Sequence, residues 1–245
     1  MDLNLNKKII VLAGGSGSIG LDACKLLLKE GSILIVIDKE KPLIKEKTKN
    51  LFFYQSNLSN EKSIKYVFNK ILIKFKSIDV LINSIGIFSN KDILSLSEKE
   101  IINIFHTNFV ISSILIKYFL KLMIKKRSGK IINIGSIAGQ NGGVFAGDLY
   151  SVTKAALINF TKSIAKKYGK YNIYCNCINP GPLESKMTKN WPIKVRKDLI
   201  KGFNIKNGKK LGDTKEIANI ILFLASDKSR LIQGSEINAN GGIII

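Results

Sequence analysis

A tyrosine and a lysine four residues apart open a predicted helix in the second half of this sequence. Tyr150 and Lys154 have the spacing that places two side chains on one helical face, one turn apart. A neighbouring ammonium favours the phenolate, so we expect Lys154 to lower the pKa of Tyr150 from its usual value of about 10. The phenol could then exchange a proton with a substrate oxygen near neutral pH. Tyr66 and Lys70 share this spacing, but they fall inside an ordinary helical segment, away from any strand end.

Two further polar residues lie where they could complete an acid–base site. Ser136 stands at the end of a predicted strand, and its hydroxyl could donate a hydrogen bond to a substrate oxygen. Asn108 lies in the long helical segment after the fourth strand, where a buried amide could hold a chain of water molecules. A strand-end serine or a helical asparagine is by itself more often structural. The prediction of chemistry therefore depends on these residues occurring together.

A glycine-rich loop separates the first predicted strand from the first predicted helix. Residues 13–20 read Ala-Gly-Gly-Ser-Gly-Ser-Ile-Gly, in which Gly15, Gly17 and Gly20 form a G-x-G-x-x-G pattern. Glycines let the backbone turn tightly and approach a pyrophosphate, which a helix N-terminus attracts. The alternative is a structural turn without a ligand. The position of the loop between strand and helix favours dinucleotide binding.

An acidic residue ends the second predicted strand. Asp38 lies 18 residues after Gly20, near the spacing at which a carboxylate accepts hydrogen bonds from the adenosine ribose and repels a 2′-phosphate. The glycine loop holds no basic residue, although Lys39 and Lys41 could partly offset the carboxylate. We therefore predict that NAD is favoured, with NADP as the alternative. A plain strand-end cap is the structural interpretation of Asp38.

Strand-like and helical segments alternate along the whole chain. Short apolar runs predict strands covered on both faces of a parallel sheet: Ile9–Leu12, Ile33–Ile37, Leu51–Tyr54, Val80–Ile82, Ile131–Ile134 and Ile173–Ile178. Apolar positions at helical spacing predict five helices: Leu21–Glu30, Glu61–Phe75, Glu98–Lys126, Tyr150–Tyr168 and Thr214–Ala225. Repeated strand–helix–strand units indicate one doubly wound α/β domain over residues 1–245, with ligands beyond the carboxyl ends of the strands.

The composition is that of a globular chain with excess positive charge. The 245 residues include 39 basic and 18 acidic side chains, a net charge of +21, but only three of the basic residues are arginine. Because the lysines are spread along the chain and aromatic residues make up only 8%, we expect a lysine-coated surface and no nucleic-acid role. Phe109–Ile124 is interrupted by Lys117 and Lys121, which predicts an amphipathic helix and no membrane span. No targeting signal is evident, so we expect a cytoplasmic protein.

No metal site is predicted. His106 is the only histidine, and Cys24, Cys175 and Cys177 are the only cysteines. Two thiols without further ligands make a poor zinc site, so we interpret the cysteines as small buried apolar side chains in a reducing compartment.

Taken in order, these motifs resemble the short-chain dehydrogenase/reductase family from about Lys8 to Gly242. The resemblance rests on the glycine loop, Asn57-Leu58, Asn83-Ser84-Ile85-Gly86, Asn108, Ser136, Tyr150 with Lys154, Asn179-Pro180-Gly181 and Asn240-Gly241-Gly242. It implies a seven-stranded parallel Rossmann sheet flanked by helices, a bound nicotinamide dinucleotide and a homotetramer. It also implies an enzyme that interconverts a carbonyl and a secondary alcohol.

The resemblance assigns roles to individual residues of this chain. Tyr150 is implied to be the general acid/base, while Lys154 tunes it and holds the nicotinamide ribose. Ser136 polarises the carbonyl, and Asn108 supports the proton relay. The other cofactor contacts that it implies are Gly14, Ser16, Gly17, Ser18, Ile19, Gly20, Asp38, Asn57, Leu58, Asn83, Ser84, Gly86, Pro180, Gly181, Leu183 and Ser185. The segment around residues 183–210 is expected to form a substrate lid, with a plain surface helix as the alternative.

Within the family, the chain looks most like the 3-oxoacyl-acyl-carrier-protein reductases, on residues 124–136, Phe223–Asp227 and the Asn-Gly-Gly ending. A 3-oxoacyl thioester is therefore the first choice of substrate, and an acidic acyl carrier protein is a candidate partner. The docking charges expected for it are Lys125, Lys126, Arg127 and Lys130. One alternative is an NAD-dependent sugar, polyol or hydroxyacid dehydrogenase. Another is a catalytically silent scaffold that binds dinucleotide or RNA, which the intact set of catalytic residues disfavours.

Overall fold

Residues 3–44, 48–143, 145–205 and 210–244 are described by a computed structural model. Within them the chain forms nine strands: β1 (Ile9–Ala13), β2 (Ile33–Asp38), β3 (Leu51–Gln55), β4 (Val80–Asn83), β5 (Gly129–Ile134), β6 (Ile173–Pro180), β7 (Leu183–Glu184), β8 (Gly212–Asp213) and β9 (Glu236–Ala239). The short strands β7 and β8 pair with each other, and the other seven form one sheet. The predicted doubly wound α/β fold with a seven-stranded sheet is confirmed.

The order of the strands creates a crevice at one edge of the sheet. The strands lie in the order β3-β2-β1-β4-β5-β6-β9, and every neighbouring pair is parallel. All carboxyl ends therefore meet at one edge. The direction of sheet growth reverses between β1 and β4, so the loops after these two strands diverge and leave room for a ligand.

Helices cover both faces of the sheet. They are α1 (Ser18–Lys29), α2 (Glu61–Lys74), α3 (Glu98–Phe105), α4 (Ile111–Lys126), a single turn α5 (Ala138–Asn141), α6 (Asp148–Tyr168), α7 (Ile193–Lys201) and α8 (Thr214–Ala225). Helices α1 and α8 pack on one face, and α2, α4 and α6 pack on the other. Successive residues of β1 alternate between the two cores: Val11 and Ala13 face one, Ile10 and Leu12 the other. This double burial explains why β1 is apolar at every position and why the other inner strands are largely apolar.

Side-chain caps fix where several helices begin. Asn60 accepts a hydrogen bond from the Ser63 backbone at 2.9 Å at the start of α2. Ser97 and Asp213 form capping boxes at the starts of α3 and α8. Such caps satisfy backbone donors that have no partner within the helix. They set these helix boundaries close to the ones that periodicity predicts.

The structure departs from several of the predicted elements. The predicted helix Glu98–Lys126 is broken into α3 and α4 by a π-helical turn at His106–Val110. Strand β9 was not predicted from an apolar run because it reads Glu-Ile-Asn-Ala and lies at the edge of the sheet. Strands β2 and β4 extend one residue beyond their apolar runs, since Asp38 and Asn83 continue the pairing.

The helical stretch Glu98–Lys126 is long and apolar enough, by length and composition alone, to cross a membrane. In its most apolar window 44% is buried inside the protein. Helix α4 packs against α2 and against strands β4 and β5, and Leu115 and Phe119 are fully enclosed there. Core packing therefore accounts for its apolar composition.

The three cysteines are free and buried, as predicted. Cys175 lies with the apolar side chains of the core under α4 and α6, and Cys24 lies in the opposite core. Burial raises the pKa of Cys24 and of Cys177 to about 12, so these thiols stay protonated and behave as small apolar groups.

Candidate active site

A cavity of about 340 Å³ opens at the carboxyl edge of the sheet. The loops after β1, β4, β5 and β6 line it together with the first turns of α6. The predicted site residues that line it are Gly17, Ser18, Ile19, Ser84, Gly86, Ser136, Tyr150, Lys154, Pro180, Gly181, Leu183 and Ser185. Residues far apart in sequence are thus brought together where the parallel fold predicts a ligand.

Tyr150 is the buried phenol of this cavity. Only 8% of the residue is exposed, and it is hydrogen-bonded to the Ser136 hydroxyl. Burial raises the pKa of Tyr150 to about 12, and the hydrogen bond with Ser136 opposes this shift. The phenol is therefore held protonated, in the form that can donate a proton to an oxygen.

The expectation that Lys154 lowers the pKa of Tyr150 is wrong for this arrangement. The Lys154 Nζ donates a hydrogen bond to the Ile134 carbonyl at 2.8 Å and lies 5.8 Å from the centre of the tyrosine ring. Burial lowers the pKa of Lys154 to about 8, so its own charge is penalised by desolvation. At this distance burial outweighs the attraction between ammonium and phenolate.

Asn108 lies beside Lys154 without lining the cavity. Its Oδ1 accepts from the Ile87 backbone at 2.8 Å, and its Nδ2 donates to the Ile87 carbonyl and to Thr153 Oγ1 at 3.1 Å each. A Cβ at Gly86 would lie 3.4 Å from both Asn108 Oδ1 and Lys154 Nζ. The π-helical turn carries this amide, a type of distortion frequent at functional sites. Asn108 therefore fixes the loop after β4 against α6, and its part in a proton relay stays a prediction.

The glycine loop fits a dinucleotide. Gly14 has φ +90°, and a Cβ there would lie 2.6 Å from the Ser84 carbonyl oxygen. A Cβ at Gly20 would lie 2.1 Å from the Gly14 carbonyl oxygen. These glycines let the loop fold tightly between β1, β4 and α1. The first turn of α1 holds no acidic residue, so its N-terminus can face a pyrophosphate without like-charge repulsion.

Asp38 stands at the end of β2 beside the glycine loop, outside the cavity. Its Oδ2 accepts from the Ser16 backbone at 2.8 Å, and its Oδ1 accepts from the Glu40 backbone at 3.2 Å. Ser16 Oγ also donates to the Glu40 carbonyl. Asp38 is half-buried, and its carboxylate anchors the phosphate loop. Its contact with an adenosine ribose stays a prediction.

Other predicted cofactor contacts lie away from the cavity. Asn57 Oδ1 accepts from the Ser59 backbone at 3.1 Å, and Leu58 is 2% exposed within the apolar core. Asn83 is 1% exposed, and its Nδ2 donates to Asn133 Oδ1 at 2.8 Å between β4 and β5. These side chains hold the turns and strands that carry the site. Their contact with a cofactor stays a prediction.

The predicted lid forms one wall of the cavity, and its residues 206–209 lie outside the described part of the chain. Helix α7 follows Trp191, and both Trp191 and Leu199 line the cavity. Arg196 Nη2 contacts Glu184 Oε1 and Oε2 at 2.6 and 2.7 Å. This ion pair joins α7 to the short strand β7, and a substrate lid in this segment stays a prediction.

Sequence reasoning missed the aromatic side chains that surround Tyr150. The Phe88 ring centroid lies 5.2 Å from that of Tyr150 and 5.1 Å from that of Trp191. Phe145 lies 4.8 Å from Trp191. Phe88 lies two residues after the Asn83–Gly86 motif, which is a signal that could have found it. Phe145 lies in an irregular loop, where nothing in the sequence indicates its direction.

Comparisons with known proteins give the same family. A family model described as Enoyl-(Acyl carrier protein) reductase matches residues 13–244. The 3-oxoacyl-(acyl-carrier-protein) reductase of Buchnera aphidicola is 32% identical over 98% of this chain and 99% of its own length. The enzyme of that name from Vibrio cholerae is 31% identical over 98% and 99%.

The chain belongs to the short-chain dehydrogenase/reductase family.

Solved structures of similar proteins agree with this assignment. A short-chain dehydrogenase from Leptospira borgpetersenii, solved with bound NAD+, has a TM-score of 0.91 at 27% identity, over 98% of this chain and 94% of its own. The aldohexose dehydrogenase of Thermoplasma acidophilum has a TM-score of 0.86 at 25% identity, over 98% and 95%. The protein is thus a short-chain dehydrogenase/reductase, an oxidoreductase that uses a nicotinamide dinucleotide, as the resemblance predicted.

The prediction that Lys130 is one of the docking charges is wrong. Lys130 is only 8% exposed, and its Nζ donates to the Ser226 carbonyl at 2.5 Å and to Ser229 Oγ at 3.1 Å. Burial lowers the pKa of Lys130. Strand β5 begins between α4 and the end of α8. The Lys130 side chain therefore points into the protein and cannot form part of a docking surface.

The other predicted docking charges lie at the opposite edge of the sheet from the cavity. Lys125 and Arg127 are exposed, while Lys126 is paired with Asp79. These residues precede β5, whereas Ser136 follows its end, about 20 Å away for a six-residue strand. Within one protomer the exposed charges therefore do not border the cavity.

Proposed function

We propose that this enzyme reduces the carbonyl of a 3-oxoacyl thioester to a secondary alcohol. The observation that carries the proposal is the aromatic wall of Phe88, Phe145 and Trp191, in which Phe88 packs against Tyr150. It continues into Met187, Leu199 and Ile243 along the cavity. An apolar wall of this kind suits an acyl chain. The full-length relatives that carry the name 3-oxoacyl-(acyl-carrier-protein) reductase support the same choice.

The side chains act on the substrate oxygen. The Ser136 hydroxyl donates a hydrogen bond to the carbonyl, which polarises it toward attack. Tyr150 Oη then gives its proton to the same oxygen as negative charge develops there. Lys154 contributes a positive charge next to the Tyr150 ring. Asn108 holds the loop after β4 against α6 through its hydrogen bonds to Ile87 and Thr153. A bound nicotinamide dinucleotide supplies the hydride for the carbonyl carbon.

A sugar, polyol or hydroxyacid dehydrogenase is the second candidate. The similarity to the aldohexose dehydrogenase of Thermoplasma acidophilum favours it. A polyol would need several hydrogen-bonding partners beyond the catalytic ones, and the wall opposite Ser136 and Tyr150 is largely apolar. The silent-scaffold alternative is disfavoured because Ser136, Tyr150 and Lys154 meet in one cavity.

A substrate panel tests the proposal. We expect a 3-oxobutanoyl thioester to give a kcat/KM at least about tenfold above that of an aldohexose, a polyol or 3-hydroxybutyrate, measured by nicotinamide absorbance. A 2-enoyl thioester belongs in the panel because the matching family model is described as an enoyl reductase. Trp191→Ala should raise KM for the thioester and leave dinucleotide affinity unchanged. Preferred turnover of the aldohexose or of the enoyl thioester would replace our assignment.

An acyl carrier protein is proposed as the partner that presents this substrate. The names of the relatives support it, and Lys125 and Arg127 are exposed members of the expected set of docking charges. Testing the double variant Lys125→Glu/Arg127→Glu on a carrier-bound substrate and on a free thioester shows whether these charges bind the carrier protein. Loss of activity on the carrier-bound substrate alone supports docking, whereas an equal effect on the carrier-bound substrate and on the free thioester assigns these charges to the solvated surface.

We also propose that NAD(H) is preferred over NADP(H). The carboxylate of Asp38 would face a 2′-phosphate, and like charges brought together in a binding site cost several kcal/mol. We expect Asp38→Ser to shift the ratio of kcat/KM values toward NADPH by at least about tenfold, or about 1.4 kcal/mol. Glu40→Gln is the matched control, since Glu40 is a neighbouring exposed carboxylate. A clear NADPH preference in the unmodified enzyme would show that Lys39 or Lys41 outweighs Asp38.

A homotetramer and a cytoplasmic location complete the proposal. Both come from the family resemblance. Exposed apolar side chains on α3 and α6, Ile102 and Val152, offer surfaces that subunit contacts would cover.

A further inference from the structure

The loop after β7 brings a lysine to the phosphate loop. The Lys186 backbone donates a hydrogen bond to Ser18 Oγ at 3.0 Å, and its Nζ lies 3.5 Å from the Ser16 carbonyl oxygen. These two serines flank Gly17 at the start of α1. Lys186 lines the cavity together with Gly17 and Ser18. The residues 13–20 themselves contain no cation, so Lys186 supplies the positive charge that this loop lacks.

We propose that the Lys186 ammonium binds the pyrophosphate of the dinucleotide. The inference rests on the nicotinamide dinucleotide chemistry of the family and adds a residue that the sequence motifs do not include. A dianionic pyrophosphate at the N-terminus of α1 would find there the free backbone donors of the helix. Lys186 reaches this loop from a segment more than 160 residues further along the chain.

The position of Lys186 favours the pyrophosphate over an adenosine 2′-phosphate. The Asp38 carboxylate accepts a hydrogen bond from the Ser16 backbone N–H. The family resemblance places the adenosine at this end of the site. Lys154 marks the nicotinamide end, beside Tyr150. Lys186 reaches the loop between these two ends, next to the first residue of α1. In an extended dinucleotide the pyrophosphate lies between the two nucleosides.

The ammonium is available for a ligand. Among the described residues no carboxylate lies within 4.0 Å of Lys186 Nζ. The nearest carboxylate in sequence, Glu184, is held by Arg196. Lys186 is exposed, so water screens its interaction with an anion. We therefore expect a contribution of about three- to tenfold in affinity, which is modest for a charged contact.

Binding measurements by calorimetry test the proposal without a carbonyl substrate. Lys186→Met removes the charge and keeps the length of the side chain and its backbone hydrogen bond to Ser18. ADP-ribose, NADH and NADPH should each bind about three- to tenfold more weakly, by a similar factor. The slope of log Kd against log salt concentration should also become shallower, because one ionic contact is lost. Lys189→Met, an exposed lysine three residues on, should leave the affinities unchanged.

Each other outcome is decisive. Weakening confined to NADPH would assign Lys186 to a 2′-phosphate and overturn the proposal. Unchanged binding of ADP-ribose to Lys186→Met, or the same change in Lys189→Met, would also overturn it, while the proposed carbonyl reduction would stand. Failure of the unmodified protein to bind ADP-ribose or either dinucleotide would overturn this proposal and the proposed function together.

Discussion

Tyr150→Phe should lower turnover by about 10²–10⁴-fold, the usual contribution of a positioned acid or base. The substitution removes the hydroxyl that hydrogen-bonds to Ser136 and keeps the ring that packs edge-on against Phe88. Folding and dinucleotide affinity should therefore survive. Steady-state kinetics with the preferred substrate, together with fluorescence titration of NADH, separate the two quantities.

Tyr66→Phe is the matched control for this loss. Tyr66 and Lys70 repeat the four-residue spacing on α2, and the lysine Nζ lies 4.6 Å from the centre of the tyrosine ring. Tyr66 is 60% exposed and lies away from the cavity, so its variant should keep near-normal activity. Substantial turnover in Tyr150→Phe would show that the Tyr150 phenol is not the proton donor.

Gly20→Ala should abolish tight dinucleotide binding by forcing the phosphate loop open. The added Cβ would lie 2.1 Å from the Gly14 carbonyl oxygen and 2.9 Å from the Gly15 Cα. Because the obstructing atoms are backbone, no side-chain rotation relieves the clash. Overpacking costs about 1–3 kcal/mol. If the loop must bear this cost to bind the dinucleotide, we expect affinity for NADH to fall by about 5- to 150-fold. Calorimetric titration and thermal unfolding measure binding and stability in parallel.

Gly17→Ala shows whether that effect is local. A Cβ at Gly17 would meet only the Gly14 carbonyl oxygen, at 3.5 Å, an ordinary contact. Gly17 has φ −68°, a conformation that alanine adopts readily. Its variant should bind NADH within about threefold of the unmodified protein. Equal losses in both variants would mean that the loop tolerates no side chain for a reason other than the Gly14 contact.

The local features of this protein can be predicted from short stretches of its sequence. The four-residue spacing of Tyr150 and Lys154 places them on one helical face. Apolar runs identified β1 to β6, six of the seven strands of the large sheet. The glycine loop and Asp38 followed from their positions next to the first two strands. These features depend on a few consecutive residues, so periodicity and turn chemistry suffice to predict them. The order of the motifs then placed the catalytic residues at one edge of a parallel sheet.

Tertiary structure decided what side chains meet across the fold. Lys130 and Lys125 look alike in the sequence, yet one is buried and the other is exposed. Lys186 reaches Ser18 only because the loops after β1 and β7 meet at the same crevice. The pKa of Tyr150 is governed by burial more than by the lysine one turn away. Desolvation and contacts between distant segments depend on how the elements pack, and a linear pattern carries no record of that packing.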